Sequence, residues 1–183
     1  MPAWCYVDPA IAALDRRAIF DRGWQLVTHV SRLRAPGDHV VVDFAGLPVV
    51  AVRGEDGVVR AMHNVCRHRA APILTDDSGC VGKLRCRYHG WTYSLTGRLK
   101  GTPEWDGVCD FEKQDNGLVP VGAVAEFGRW VWVSVAKPVR SVAEEFSPFP
   151  LHPLPAAVAS HCAATSPTRG EVGVAASPPM SPS

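Results

Sequence analysis

Two short stretches decide the fold of this chain: HNVCRHRAAPI at residues 63–73 and LRCRYHGWTYS at residues 84–94. Each stretch contains one cysteine and one histidine, two positions apart in the first and three positions apart in the second. A tight loop between strands can direct a thiolate and an imidazole to the same side. The two stretches therefore predict a metal site made by two loops. The four candidate ligands are Cys66, His68, Cys86 and His89.

Four ligands of this composition suit either a zinc ion or a binuclear iron–sulfur cluster. Zinc sites with two cysteines and two histidines usually take both cysteines from one loop and both histidines from the other. Here each loop supplies one of each. This mixed arrangement suits a cluster with two unlike irons, one bound by two thiolates and the other by two imidazoles. The pattern favours one [2Fe–2S] cluster per chain, with zinc as the alternative.

On both sides of the two loops, apolar and polar residues alternate with a period of two, which is typical of strands. Turn signals at Pro36-Gly37, Ala45-Gly46, residues 55–57 and Gly97 interrupt the alternation. We therefore predict that residues 24–137 form an all-β domain of short antiparallel strands.

An amphipathic helix is predicted at residues 8–22, within an N-terminal segment at residues 1–23. Asp8 is a suitable N-cap, proline follows it at the first helical position, and Gly23 ends the helix. The predicted apolar stripe consists of Ile11, Leu14, Ala18 and Ile19.

The composition changes after Lys137. Nine of the sixteen prolines lie in residues 138–183, together with many alanines and serines. Such a segment lacks the periodic apolar residues of a packed element. We expect a disordered tail there, or the product of a frameshift near residues 140–155.

Bulk composition excludes several classes of function. Nineteen Lys and Arg against eighteen Asp and Glu give a net charge of +1, so we expect neither nucleic acid nor a membrane surface as a partner. No apolar run is long enough to span a membrane and no export signal is recognisable, which predicts a cytoplasmic protein. Six cysteines in 183 residues are too few for a disulfide scaffold. The four outside the motif, at positions 5, 80, 109 and 162, are predicted to be bystanders.

The full motif, C-x-H-x17-C-x2-H, resembles the Rieske domain of the α subunits of aromatic-ring-hydroxylating oxygenases. The resemblance runs from about Tyr6 to Ala136 and includes the opening helix and the WVWVSV strand. It implies a Rieske-type antiparallel β sandwich or barrel, with both cysteines on a buried iron and both histidines on an outer iron. Neighbouring residues that match the family, and that we expect around the cluster, are Arg69, Tyr88, Gly90 and Trp91.

The resemblance also implies the function. The domain would be an oxidoreductase component that takes electrons from a ferredoxin or flavin reductase and passes them to a mononuclear iron in an oxygenase domain. That iron needs two histidines and a carboxylate, and His152, His161 and Glu171 in the tail form no credible set. We therefore expect the chain to lack that iron site and not to oxygenate a substrate alone. The resemblance is also compatible with a homo-oligomer. The alternative is a stand-alone Rieske ferredoxin, which would not need the flanking helix and strands.

Two further expectations concern the surroundings of the cluster. Rieske potentials span about −150 to +300 mV, and the absence of an extra cysteine in either loop resembles the low-potential members. Four arginines flank the ligands and are either a positive rim that docks an acidic donor or ordinary solvated side chains. Tryptophan at position 91 is predicted to pack rather than to tune the cluster. The arginines are Arg67, Arg69, Arg85 and Arg87.

Overall fold

The computed structural model describes residues 1–103 and 109–147. In these residues, ten short strands form three antiparallel sheets and two short α-helices flank them, which confirms the predicted all-β class. The helices are α1 (Pro9–Asp15) and α2 (Val142–Phe146), and neither they nor the other helical turns described are long and apolar enough to cross a membrane. The strands are β1 (Gln25–His29), β2 (Asp38–Asp43), β3 (Pro48–Arg53), β4 (Val59–His63), β5 (Ser78–Cys80), β6 (Leu84–Arg85), β7 (Thr92–Tyr93), β8 (Leu99–Gly101), β9 (Ala123–Phe127) and β10 (Trp130–Ser134).

The strand orders are β1-β10-β9, β4-β3-β2-β5 and β6-β7-β8. In the first sheet β1 pairs with β10, so strands from the two ends of the domain lie side by side. In the second sheet β4 and β5 occupy opposite edges although they are consecutive in the chain. The segment between β4 and β5 must therefore cross from one edge to the other, and this segment contains the first candidate ligand loop.

β3 is buried on both faces and separates two apolar cores. Val50 and Val52 pack into one core, which also contains both motif cysteines. Val49 and Ala51 pack into the other core, together with the inward side chains of β10. All four β3 residues are fully buried, which explains why this strand is a continuous apolar run rather than an alternating one. The ligand loops thus extend directly from a packed core.

The predicted turn at Ala45-Gly46 joins β2 to β3 as a two-residue hairpin. Both residues have positive φ, 53° and 87°, and Phe44 and Leu47 exchange two backbone hydrogen bonds of 3.0 and 3.1 Å across them. Left-handed backbone at both central positions matches the twist of antiparallel strands. The turn therefore sets the register in which β2 and β3 pair.

The N-terminal helix begins as predicted, because the Asp8 side chain accepts a hydrogen bond from the Ala10 N–H at 2.8 Å. α1 then continues into a π-helical segment, Arg16–Phe20. The predicted apolar stripe is not buried: Leu14 and Ile19 are 53% and 52% exposed. The helical segment reaches the core through Phe20.

Within the segment that begins at residue 138, residues Val142–Phe146 form the short helix α2. Ser141 and Glu144 form a capping box: the Ser141 hydroxyl accepts from the Glu144 N–H, and the Glu144 carboxylate accepts from the Ser141 N–H. These hydrogen bonds lower the pKa of Glu144. Val142 is buried and Phe146 packs on Trp132 at 4.6 Å between ring centroids. The remainder of the predicted tail, 148–183, lies outside the described residues and stays a prediction.

Candidate metal centre

The two candidate ligand loops leave the same core by different routes. The first follows β4 and crosses towards β5. The second closes the hairpin of β6 and β7, in which Leu84 pairs with Tyr93 and Arg85 with Thr92. The strands on either side of the second loop, β6 and β7, are only two residues long. An alternation of apolar and polar residues cannot be recognised over so short a strand. β5 and β6 were therefore not predicted as separate strands.

Both loops use the same backbone turn around their cysteine. In the first loop the Cys66 N–H donates to the Ala71 carbonyl at 2.8 Å, and the Ala70 N–H donates to the Cys66 carbonyl at 3.0 Å. In the second, Cys86 N–H donates to the Trp91 carbonyl at 2.9 Å, and the Gly90 N–H donates to the Cys86 carbonyl at 3.0 Å. The two loops thus present equivalent positions to the space between them.

The turn requires left-handed backbone at its fifth residue, with φ of 57° at Ala70 and 72° at Gly90. Glycine adopts this conformation without strain, whereas alanine does so at a cost of roughly 1 kcal/mol. A Cβ at Gly90 would also meet Pro103 Cγ at 3.3 Å. This explains the glycine after His89, which the sequence analysis had placed near the cluster without a reason.

The two cysteines lie side by side in the core. Cys66 and Cys86 are 3% and 1% exposed. Burial raises the pKa of the Cys66 thiol, and the neighbouring Cys86 side chain raises it further. Hydrogen bonds from the Tyr93 hydroxyl and the His68 N–H act in the opposite direction, because they favour the thiolate. A metal that binds both sulfurs would supply the positive charge that this pair lacks.

The two histidines lie together at the border of the core and the surface. The His68 and His89 rings are 4.5 Å apart between centroids, at 73°, and both line an open cavity of about 850 Å³. Burial lowers the pKa of His68, and the proximity of His89 and Arg69 contributes in the same direction. Both imidazoles therefore remain reachable from outside, while the thiols are enclosed.

Aromatic rings enclose the histidine pair. Trp91 is 2% exposed and stacks on His68 at 4.9 Å with an angle of 10°. Tyr88 is 63% exposed, and the centroid of its ring lies 3.8 Å from that of the His89 ring. Trp91 thus packs in the core, as predicted, and also covers one face of a candidate ligand.

Two residues important for the site were not assigned roles in the sequence analysis. The Tyr93 hydroxyl lies 3.4 Å from Cys66 Sγ and accepts the Arg67 N–H at 3.1 Å. Burial, followed by the hydrogen bond to Cys66, raises the pKa of Tyr93, so the hydroxyl stays protonated. The second is Asn64, whose buried side chain holds the first loop by three backbone hydrogen bonds. A sequence signal was present for Asn64, because it belongs to the quoted motif. There was none for Tyr93, because its contact with Cys66 joins residues 27 positions apart.

This donor set fits a [2Fe–2S] cluster. Two thiols stand together on the buried side and two imidazoles stand together on the outer side, as a centre with two unlike irons requires. In residues 1–103 and 109–147, no group of three His, Cys, Asp or Glu side chains is arranged to hold a single metal ion.

Among the cysteines outside the motif, within the described ranges, Cys5 is partly buried, and Cys80 and Cys109 are exposed. Asp8 is a helix cap and Asp110 lies in a turn. Glu104, Asp106, His152, His161, Cys162 and Glu171 lie outside the described residues.

Comparison with known proteins identifies the family. A family model described as the Rieske [2Fe–2S] domain matches residues 23–112. This segment is a Rieske domain. The predicted family and the predicted [2Fe–2S] cofactor are thereby confirmed.

The relatives of this Rieske domain are oxygenase subunits. The chain is 40% identical over 136 residues to the glycine betaine monooxygenase oxygenase subunit of Chromohalobacter salexigens. The aligned residues make up 74% of this chain and 30% of that protein. A solved quaternary ammonium Rieske monooxygenase superposes with a TM-score of 0.75 at 32% identity, over 81% of this chain and 40% of the other. Naphthalene 1,2-dioxygenase superposes with a TM-score of 0.72 at 28% identity, over 76% and 32%. The chain therefore spans about a third of the length of these relatives.

Proposed function

We propose that Cys66, His68, Cys86 and His89 ligate one Rieske [2Fe–2S] cluster and that the domain passes single electrons from a reductase or ferredoxin towards the mononuclear iron of an oxygenase. The observation that carries this proposal is the pairing of two buried thiols with two imidazoles at an open cavity, on loops with the same backbone turn. When bound, the cluster supplies a site that accepts and releases one electron.

The protein residues have separate tasks in this proposal. Cys66 and Cys86 hold the inner iron inside the core. His68 and His89 would hold the outer iron at the cavity wall, on the side that is open to a partner. The Tyr93 hydroxyl and the His68 N–H donate towards Cys66 Sγ, and such donors stabilise the more negative, reduced state. Trp91 excludes water from one face of His68.

The flanking segments support an oxygenase component over a stand-alone ferredoxin. The similarity to oxygenase subunits extends over 136 to 148 residues, well beyond residues 23–112. The N-terminal segment is joined to the end of the domain by hydrogen bonds from Trp24 Nε1 to the Arg140 carbonyl and from Ala136 N–H to the Asp21 carbonyl. The flanks and the sheets thus form one structure.

We place the oxygen-activating iron outside the Rieske domain, because the relatives are about three times as long as the part that matches. The named relatives act on glycine betaine, carnitine or choline, and the glycine betaine monooxygenase subunit is 40% identical to this chain, against 28% and 31% for two naphthalene 1,2-dioxygenases. We therefore propose a quaternary ammonium compound as the substrate of the oxygenase that receives these electrons. Reduced thiols as ligands fit a cytoplasmic location.

Electron paramagnetic resonance (EPR) of the dithionite-reduced protein tests this function. We expect a Rieske-type spectrum, a red-brown colour when oxidised, and about two irons and two sulfides per chain. A colourless protein that contains zinc, with no EPR signal after reduction, would refute the proposal.

Tyr93→Phe is expected to lower the reduction potential. The hydroxyl favours the reduced cluster by about 1 kcal/mol over the oxidised one, which corresponds to about 40 mV for one electron. Protein-film voltammetry at pH 7 measures the shift. Tyr88→Phe is the control, because that ring is exposed, and we expect its potential to change by less than about 10 mV. Equal shifts in both variants would contradict the role of Tyr93.

A further inference from the structure

The chain contains two asparagines, and they differ in the residue that follows them and in their surroundings. Asn64 precedes a valine, is 2% exposed and makes three hydrogen bonds to backbone groups through its amide. Asn116 precedes a glycine and ends the 3-10 turn Lys113–Asn116. Its amide is partly exposed and makes one hydrogen bond, 2.8 Å to the Glu112 carbonyl. The amide of Asn116 is therefore held much more weakly than that of Asn64.

The backbone nitrogen of Gly117, which follows Asn116, is open to reaction. Its N–H donates no hydrogen bond to a described residue. Glycine has no Cβ that would shield the nitrogen or limit its rotation, whereas the valine after Asn64 is branched at Cβ and stiff. A single 3-10 turn has poor hydrogen-bond geometry and opens readily. When the turn opens, the Gly117 nitrogen can approach the side-chain carbonyl carbon of Asn116.

We propose that Asn116 is a site of spontaneous deamidation, with water as the co-reactant. The Gly117 nitrogen loses its proton and forms a bond to Asn116 Cγ, and the Cγ–Nδ2 bond breaks. The leaving nitrogen takes up a proton and departs as ammonia, which leaves a five-membered succinimide ring. Water then opens the ring at one of its two carbonyl carbons. Opening at Cγ yields aspartate, opening at the main-chain carbon yields isoaspartate, and nothing is oxidised or reduced.

The pair Asp56-Gly57 provides a comparison within the same chain. Its carboxylate accepts hydrogen bonds from Arg60 at 2.6 and 2.8 Å and from the Val58 N–H at 3.1 Å. The hydrogen bond from Arg60 lowers the pKa of Asp56. Ring closure at an aspartate proceeds from the neutral acid, because an ionised carboxylate repels the nucleophile and has no leaving group. Asp56 should therefore stay intact under conditions in which Asn116 reacts.

Isoaspartate at position 116 would disturb a segment that is held on both sides. The isoaspartyl linkage adds one carbon to the main chain directly before Gly117, where a Cβ would already stand 3.1 Å from the Gly97 carbonyl. The Leu118 N–H donates to that carbonyl at 2.8 Å, and the Val119 carbonyl accepts from the His63 N–H at 2.9 Å. Gly97 lies in the hairpin of β7 and β8, and His63 ends β4. The longer backbone would thus strain the supports of both ligand loops, and we expect faster loss of the cluster.

Peptide mapping by mass spectrometry of holoprotein aged in H2¹⁸O tests the modification. We expect the peptide that contains Asn116 to exchange its amide nitrogen for one labelled oxygen, faster at pH 9 than at pH 7 because the nucleophile is the deprotonated nitrogen. The rate should lie within about tenfold of that in the urea-unfolded chain, whereas Asn64 should react at least about a hundredfold more slowly than in the unfolded chain. Methyl transfer from S-adenosylmethionine by an isoaspartyl methyltransferase measures the isoaspartyl fraction.

Two variants test the consequence for the cluster. Asn116→Gln keeps the amide but closes a six-membered ring, which forms much more slowly. Asn116→Asp carries the charge of the product on a backbone of normal length. After ageing, the native protein should lose its visible absorption to a chelator at least about twofold faster than fresh protein. Aged Asn116→Gln and fresh Asn116→Asp should bleach like fresh native protein, because the longer backbone and not the charge causes the effect.

The deamidation step is independent of the proposed function, whereas its effect on the cluster rests on it. An Asn116 peptide that stays unmodified in the folded protein, while the unfolded chain reacts, would overturn the proposal. Reaction of Asn64 at a comparable rate would also overturn it, since burial and the valine would then offer no protection. Equal bleaching of aged native protein and aged Asn116→Gln would overturn the effect on the cluster. A normal EPR spectrum of the fresh protein would leave the proposed function standing in each case.

Discussion

Cys86→Ser is expected to abolish cluster binding. Serine is a poor ligand for iron in a sulfur site, and the side chain is 1% exposed, so no water can replace the lost thiolate. Because metal binding supplies folding energy to such a site, both loops should also lose order. We expect iron to fall from about two per chain to below about 0.2 and the EPR signal of the reduced protein to vanish. Iron analysis and EPR on the same preparation measure this.

Cys109→Ser is the matched control for that experiment. Its thiol is exposed and lies outside both ligand loops, so the same atomic change should leave the iron content and the spectrum unaltered. A normal Rieske spectrum in Cys86→Ser would refute the ligand assignment, and loss of iron in both variants would point to general instability.

Asn64→Ala is expected to destabilise the first ligand loop by about 3 kcal/mol. The Asn64 side chain is 2% exposed, accepts the Ile73 and Leu74 N–H groups at 3.2 and 3.0 Å, and donates to the Leu74 carbonyl at 2.7 Å. Alanine leaves these backbone groups buried without their partner, which costs more than the hydrogen bonds themselves contribute. The loop that carries Cys66 and His68 should then open more often.

Two measurements on the holoprotein detect this change: the midpoint of thermal unfolding, and the rate at which a chelator bleaches the visible absorption of the cluster. Both should change strongly in Asn64→Ala. Asn116→Ala is the control, because its amide makes one hydrogen bond, 2.8 Å to the Glu112 carbonyl, in an exposed turn. If the two variants bleach at the same rate, the anchoring role of Asn64 is wrong.

Some expectations were obtained from the sequence because their signals are local. The spacing of Cys66 to His68 and of Cys86 to His89, with one of each ligand per loop, indicated a binuclear centre before any fold was known. Gly46 marked the β2–β3 turn, since a left-handed backbone conformation depends on a few neighbouring residues. Asp8 was recognised as a cap for the same reason.

Other features of the structure are not determined by the sequence signal alone. Periodic apolar residues placed Leu14 and Ile19 on one face of the first helix, but periodicity does not show whether a partner surface exists. Proline and alanine content suggested a tail from residue 138, although the Ser141-x-x-Glu144 capping box was present in the same segment. Composition averages over a segment and therefore hides a single turn of helix.

The sequence by itself determined the ligand types, their spacing and the alternating pattern of the strands around them, and hence the Rieske family. Each of these features depends on residues that are neighbours along the chain. Only the tertiary structure decided which groups surround the centre. It brought Tyr93 to Cys66, stacked Trp91 on His68, and collected Arg69, Lys83 and Arg85 at one cavity while it separated Arg67 from them. The physical reason is that hydrogen bonds, ring contacts and electrostatic potentials depend on distances through space, which are set by how the sheets pack and not by position in the sequence.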